Sequence, residues 1–87
     1  MQQIKQEARA GTLQSNDCLV EIRPGTGQYV LESPVEYEFG EQIYEVARRT
    51  LAEHRIEAQN LDIRIEDRGA LDCTIEARLR TAIRRAQ

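Results

Sequence analysis

The sequence lacks several features that whole classes of protein require. It contains no Trp, one Phe, three Tyr, one His and two Cys among 87 residues. One histidine and two distant cysteines do not form a zinc-ligand set, so no metal site is predicted. Two cysteines are also too few for a disulfide scaffold, which indicates reduced thiols and a cytoplasmic protein. No apolar run approaches the roughly 20 residues of a membrane span, and the amino terminus has no signal-peptide pattern.

Charge and length exclude further classes. Fifteen acidic residues outnumber twelve basic ones, giving a formal net charge of −3. An acidic chain with few aromatic residues lacks both the basic field and the stacking platforms of a nucleic-acid-binding protein. Its length predicts a single domain over residues 1–87, which would bury only about 60% of the surface of the unfolded chain. So small a core can hardly form a deep catalytic cleft, and we predict no catalytic residue.

Alternation of apolar and polar residues predicts a small sheet. Four segments have this pattern: residues 18–23, 28–32, 61–66 and 71–76. The Pro-Gly-Thr-Gly sequence at residues 24–27 is typical of a tight turn and predicts a hairpin between the first two segments. Residues 67–69 predict a second turn, with Gly69 in a left-handed conformation.

Helical spacing predicts one long helix over about 34–55 and a short one over about 78–86. Ser33 and Glu36 form a capping-box pattern around Pro34, a residue suited to the first helical turn. Residues 71–76 fit a strand and a helix equally, but a helix from Ala70 would place Asp72 in an apolar stripe. A strand is therefore favoured there. The predicted fold is α+β, with an antiparallel sheet of about four strands packed against both helices.

Most side chains that could take part in catalysis or binding have an ordinary structural interpretation. His54 lies near the carboxyl end of the long helix, where an imidazolium interacts favourably with the helix dipole. Cys18 and Cys73 are expected to be small core residues. The C-terminal arginines are interpreted as a solvated helix face or, less simply, as a docking patch for an acidic partner or phosphate groups; they are Arg78, Arg80, Arg84 and Arg85.

The two serines differ in this respect. Ser33 is accounted for as a helix cap, whereas Ser15 lies in the polar segment of residues 14–17 and has no evident structural duty. An exposed serine in a turn is by itself usually structural. Composition and spacing alone therefore assign Ser15 no function.

Two segments nevertheless resemble the paired signatures of a known family. Residues 10–17 (AGTLQSND) and residues 67–73 (DRGALDC) are similar to those of the citrate lyase acyl carrier proteins, the gamma subunits of that enzyme. Residues 35–43 resemble the central helix of the family, and the similarity covers nearly the whole chain.

The resemblance implies a carrier function and an attachment site. Ser15 occupies the position that carries phosphoribosyl-dephospho-coenzyme A through a phosphodiester, and the group ends in a phosphopantetheine thiol. The thiol would carry acetyl and citryl thioesters between an alpha subunit, the acyltransferase, and a beta subunit, which cleaves citryl to oxaloacetate. A prosthetic-group transferase and an acetylating ligase are the other implied partners. The chain itself would be a non-catalytic subunit.

Two alternative functions remain open. The carrier subunit of malonate decarboxylase uses the same prosthetic group, although the Gly-Ala-Leu-Asp-Cys match at residues 69–73 favours citrate lyase. The chain could also be an unmodified α+β module that binds other proteins. Modification of Ser15 distinguishes the carriers from such a module.

Overall fold

A computed structural model describes residues 3–87 of the chain. It contains four strands and two helices, with a short 3-10 turn at Ala58–Asn60. The elements are β1 (Ala8–Gly11), β2 (Cys18–Pro24), β3 (Tyr29–Glu32), α1 (Glu36–Glu53), β4 (Leu61–Asp67) and α2 (Asp72–Ala86). Within residues 3–87, neither helix has the length and apolar character needed to cross a membrane.

The strands form one mixed sheet in the order β1-β2-β4-β3. The pairs β1–β2 and β2–β4 are antiparallel, whereas β3 and β4 are parallel. Parallel neighbours need a long crossover connection, which α1 provides here. The predicted α+β class, with a long helix and a shorter C-terminal one, is confirmed; the entirely antiparallel sheet is not.

The predicted hairpin between residues 18–23 and 28–32 is wrong, because β3 crosses to the far side of β4. The Asp62 carboxylate holds the turn in place: its Oδ1 accepts hydrogen bonds of 3.0 Å from the backbone amides of Thr26 and Gln28. The Gly27 amide also donates to the Leu61 carbonyl, at 3.1 Å. The hydrogen bonds of the turn therefore attach it to β4 and not to β2.

Helix α1 confirms the long helix predicted over about 34–55, but the capping box does not form. The Ser33 hydroxyl donates to Asp67 Oδ2 at 2.8 Å and accepts from the Val35 amide at 3.1 Å. No side chain caps the first turn of the helix. Ser33 thus joins the entry of α1 to the end of β4. The buried face of the helix consists of Ile43, Val46, Ala47, Thr50 and Leu51.

The strand predicted over residues 71–76 is helical, because α2 begins at Asp72 and not near Arg78. Asp72 is exposed in the first turn, where a carboxylate favours the helix dipole, so it lies outside the core. Cys73 is exposed as well, contrary to the core position expected, because it lies off the buried stripe of the helix. The buried stripe comprises Ile75, Leu79, Ala82, Ile83 and Ala86.

The fourth strand is β1, in a segment whose weak pattern indicated no strand. It pairs with β2 from Ala8 opposite Ile22 to Gly11 opposite Leu19. The core lies between the sheet and the helices. Ile65, Ile75 and Leu79 are each fully buried there, and burying such a side chain stabilises the fold by roughly 1.5–3 kcal/mol.

Two glycines with positive φ lie beside the turn of residues 12–17, and substituting them measures how closely the backbone is packed there. Gly11 has φ +102°, and a Cβ added there would lie 1.9 Å from the Cys18 carbonyl oxygen. Gly69 has φ +87°, but its nearest atom would be Asn16 Oδ1 at 3.6 Å. We expect Gly11→Ala to lower the free energy of unfolding by at least about 3 kcal/mol, because it adds a backbone clash to the conformational strain.

The matched change Gly69→Ala should cost about 1–2 kcal/mol, since only the positive φ opposes it. Urea unfolding at equilibrium measures both values, provided that the dependence on urea is the same in the two variants. Equal losses in the two variants would contradict the close approach of Gly11 to Cys18.

Candidate functional site

Ser15 lies in the turn of residues 12–17, which connects β1 to β2. Its side chain is exposed, and no group among residues 3–87 forms a hydrogen bond with its hydroxyl. Asn16 follows it with φ +66°, a left-handed conformation that asparagine tolerates better than most residues. The backbone thus presents the Ser15 hydroxyl to solvent.

The Asp17 carboxylate organises this turn. Its Oδ2 accepts from the Thr12 hydroxyl at 2.7 Å, and its Oδ1 accepts from the Cys18 amide at 2.7 Å. The Thr12 hydroxyl oxygen in turn accepts from the Gln14 amide at 3.2 Å. The residues on both sides of Ser15 are therefore fixed by side-chain hydrogen bonds.

Arg78 on α2 binds the same carboxylate with two hydrogen bonds. Its Nε lies 3.0 Å from Asp17 Oδ1 and its Nη2 lies 2.8 Å from Asp17 Oδ2, across 61 residues of sequence. Paired charge-assisted bonds of this kind are among the strongest in proteins. The hydrogen bonds from Arg78, with that from Thr12, hold the pKa of Asp17 well below its usual range.

The loop between β4 and α2 lies beside the turn. The Asn16 amide donates to the Arg68 carbonyl at 2.8 Å, and the Arg68 amide donates to the Asp17 carbonyl at 2.9 Å. Asp67, which is buried, accepts from the Ala70 amide through Oδ1 at 2.8 Å. The two segments that carry the family resemblance, residues 10–17 and 67–73, therefore meet at one end of the sheet. Gly69 has the positive φ predicted for it.

The cysteines have different environments. Cys18 is fully buried beneath the turn, as predicted. Burial, with the negative charges of Asp17 and Asp67, raises the pKa of its thiol to about 12. Its thiol therefore stays protonated at neutral pH and is a poor nucleophile.

Among residues 3–87, no group of three or more His, Cys, Asp or Glu side chains could hold a metal ion.

His54 is the C-cap residue of α1, directly after Glu53, so it lies near the carboxyl end of the helix as the sequence indicated. Its Nε2 lies 3.1 Å from Arg80 Nη1, on the side of α2 that packs against α1. It has no hydrogen bond to any residue of the turn at 12–17. The structure does not bring this histidine together with Ser15.

Three of the four C-terminal arginines are bound within the fold. Arg78 binds Asp17, Arg80 forms ion pairs with Glu53 and Glu76, and Arg85 donates to the Arg9 carbonyl at 2.8 Å. The role of Arg78 was not evident from the sequence. In a single sequence, no local pattern joins an arginine on one helix to an aspartate 61 residues away.

Comparisons with known proteins give a consistent result. Residues 5–86 match the family described as malonate decarboxylase delta subunit (MdcD). A citrate lyase acyl carrier protein of Treponema denticola is 54% identical over 85 residues, which cover 97% of this chain and 95% of the relative. That of Streptococcus mutans is 45% identical, with 95% of this chain and 82% of the relative covered.

A solved structure has the same fold. A chain of a Pseudomonas malonate decarboxylase hetero-tetramer in complex with malonate superposes with a TM-score of 0.80. The superposition covers 99% of this chain and 89% of the other, at 22% sequence identity.

The lowered pKa of Asp17 makes the stability of the turn depend on pH. Its usual pKa is 3.8; because the folded value is lower, the stabilisation is complete above about pH 5 and is lost as pH falls below that value. We expect Asp17→Asn to lower the free energy of unfolding by about 2 kcal/mol at pH 7. The difference from the unchanged protein should shrink steadily below pH 4.

Denaturant unfolding of both proteins between pH 3 and pH 7 measures the effect. Asp72→Asn is the control, because that carboxylate is exposed and accepts hydrogen bonds from Gln42 alone. It should cost less than about 1 kcal/mol. A penalty for Asp17→Asn that stays constant down to pH 3 would contradict the ionised pair with Arg78.

Proposed function

This chain belongs to the family of citrate lyase acyl carrier proteins and malonate decarboxylase delta subunits, and from that premise we propose that Ser15 carries its prosthetic group. Within the family, the chain functions as an acyl carrier protein of citrate lyase. The malonate decarboxylase function is not favoured, since the relatives named as citrate lyase carriers are 54% and 45% identical over nearly the whole chain.

The assignment of Ser15 is supported by a comparison of the hydroxyl groups at this end of the domain. The Thr12 hydroxyl donates to Asp17, and the Ser33 hydroxyl donates to Asp67. The Ser15 hydroxyl is exposed and has no partner among residues 3–87. A modifying enzyme needs a hydroxyl that it can reach without breaking the fold. Of these three, Ser15 is the one that meets this requirement.

We propose phosphoribosyl-dephospho-coenzyme A, joined by a phosphodiester to the Ser15 oxygen, as the prosthetic group. The exposed turn fits such an addition, because a large group attached there extends into solvent without displacing the core. When bound, the group supplies a thiol that holds acyl groups as thioesters. The pair between Asp17 and Arg78 fixes the turn to which the group would be attached.

We further infer that the chain is a carrier and not an enzyme. No acid or base among residues 3–87 forms a hydrogen bond with the Ser15 hydroxyl, whereas nucleophilic catalysis requires a base within hydrogen-bond distance. The catalytic groups would belong to the citrate lyase alpha and beta subunits, and loading to a prosthetic-group transferase and an acetylating ligase. A short flexible tether raises the effective concentration of the acyl group at those sites into the millimolar range.

The two thiols, which form no disulfide, support a cytoplasmic location for this complex.

Modification of Ser15 gives a direct test of the proposal. When the chain is expressed with the citrate lyase modifying enzymes, its intact mass should increase by the mass of one phosphoribosyl-dephospho-coenzyme A group. Peptide mapping should place the increment on the peptide that contains Ser15. Ser15→Ala should abolish it, because the attacking oxygen is lost.

The second serine of the chain gives the matched control. Ser33→Ala removes the hydrogen bond to Asp67 and should lower the free energy of unfolding by about 1 kcal/mol, yet it should leave the mass increment intact. An unmodified chain in the presence of demonstrably active modifying enzymes would contradict the proposal. That result would favour the unmodified α+β protein-binding module.

The partner subunits should bind the end of the domain that carries Ser15. Leu13 in the turn is 47% exposed, and Leu71 at the start of α2 is 70% exposed. Apolar side chains exposed beside a functional residue are typical of interaction sites. We expect Leu71→Asp to weaken binding to the alpha and beta subunits at least about tenfold, a loss of about 1.4 kcal/mol. Titration calorimetry or analytical ultracentrifugation measures it.

Charge reversal of Arg84 tests the alternative that the arginine-rich tail forms the interface. Its guanidinium has no partner among residues 3–87, so Arg84→Glu should leave the fold intact. Binding should be unaffected. A loss with Arg84→Glu and none with Leu71→Asp would move the interface to the tail.

A further inference from the structure

Arg68 lies in the loop between β4 and α2, beside the turn that contains Ser15, and has no role in the function proposed above. Its amide donates to Asp17 and its carbonyl accepts from Asn16, so its backbone is attached to the two residues that follow Ser15. Arg68 itself is exposed. These two backbone hydrogen bonds fix the Cα of Arg68 beside the turn that contains Ser15.

The Arg68 guanidinium is also unpaired. Six of the eleven arginines form ion pairs with carboxylates, and Arg85 binds a carbonyl oxygen. Four have no side-chain partner among residues 3–87: Arg9, Arg55, Arg68 and Arg84. Of these four, only Arg68 is hydrogen-bonded through its backbone to the turn that contains Ser15.

The carboxylates nearest to Arg68 in the sequence and at the turn are bound to other groups. Asp17 and Arg78 neutralise one another. Both oxygens of the buried Asp67 accept hydrogen bonds, from the Ser33 hydroxyl and the Ala70 amide. The oxygens of Asp72 accept from Gln42. None of these carboxylates binds Arg68, so its guanidinium is available to a phosphodiester at Ser15, the residue that precedes the two to which the Arg68 backbone is hydrogen-bonded.

We propose that the Arg68 guanidinium contacts the phosphodiester at Ser15 in the loaded protein and thereby positions the base of the arm. The inference rests on the proposed function, because the phosphodiester is the ligand. Guanidinium groups match the geometry of phosphate oxygens and bind them through charge-assisted hydrogen bonds. Arg78 does not serve this purpose, since its Nε and Nη2 are engaged by Asp17.

The test compares the apo and loaded forms of the full chain by NMR. Intact mass first establishes that Ser15 is loaded. We expect the Nε–Hε resonance of Arg68 to shift on loading, and to return towards its apo position in about 1 M salt, where the Debye length is about 3 Å. In loaded Arg68→Gln protein, the phosphorus-31 resonance of the phosphodiester should shift from its position in the unchanged protein.

Arg55→Gln is the matched control, because Arg55 is likewise exposed and unpaired but precedes the start of β4, whereas Arg68 follows its end. It should leave the phosphorus-31 spectrum unchanged. A loaded chain whose Arg68 Nε–Hε resonance does not move would overturn the inference and leave the attachment to Ser15 standing. The same conclusion would follow if Arg55→Gln moved the phosphorus resonance as far as Arg68→Gln.

Mass and NMR separate the two proposals. A wild-type chain that is not loaded overturns both of them, because no phosphodiester would exist. If Arg68→Gln resists loading, the apo and loaded forms of the unchanged protein still decide, since that comparison needs no variant.

Discussion

The bidentate pair between Asp17 and Arg78 is the interaction on which the functional end of this domain depends. One carboxylate receives two hydrogen bonds from Arg78 and one each from the Thr12 hydroxyl and the Cys18 amide. Its side chain is only 14% exposed, so little water competes for these bonds. The loss of Arg78 would leave the Asp17 charge poorly solvated, which usually costs more than the pair contributes.

The pair makes the turn part of the folded core. Asp17 accepts a hydrogen bond from the amide of Cys18, which is fully buried. On the other side of the turn, Gly11 lies so close to the Cys18 carbonyl that no side chain would fit there. The base of the turn is therefore rigid, while the hydroxyl at its tip is free. A carrier needs this combination. A fixed base limits the ordering entropy that must be lost when partner enzymes bind, and a free tip lets each of them reach the attached group.

Local sequence patterns predicted the elements whose apolar residues recur with a clear period. Repeats of three and four residues indicated α1, and alternation indicated β2 and β4. The sequence did not indicate pairings between distant segments: the turn at residues 24–27 was evident, but its attachment to Asp62 and β4 was not. The strand predicted over residues 71–76 was wrong for a different reason. Asp72 argued against a helix there, but it lies exposed in the first turn of α2, ahead of the buried stripe that begins at Ile75.

The attachment site proposed at Ser15 was indicated only by resemblance, and this follows from its chemistry. An enzyme leaves a constellation of acids, bases and nucleophiles in its sequence, because each must be in contact with another. An attachment point needs one hydroxyl without partners, and such a serine cannot be distinguished in a sequence from any other serine in a turn. The structure adds what each neighbouring hydroxyl does: Thr12 and Ser33 are bound to carboxylates, and Ser15 is not. The support for a carrier site therefore consists of one exposed, unpaired hydroxyl at Ser15, beside Thr12 and Ser33 whose hydroxyls are bound to carboxylates.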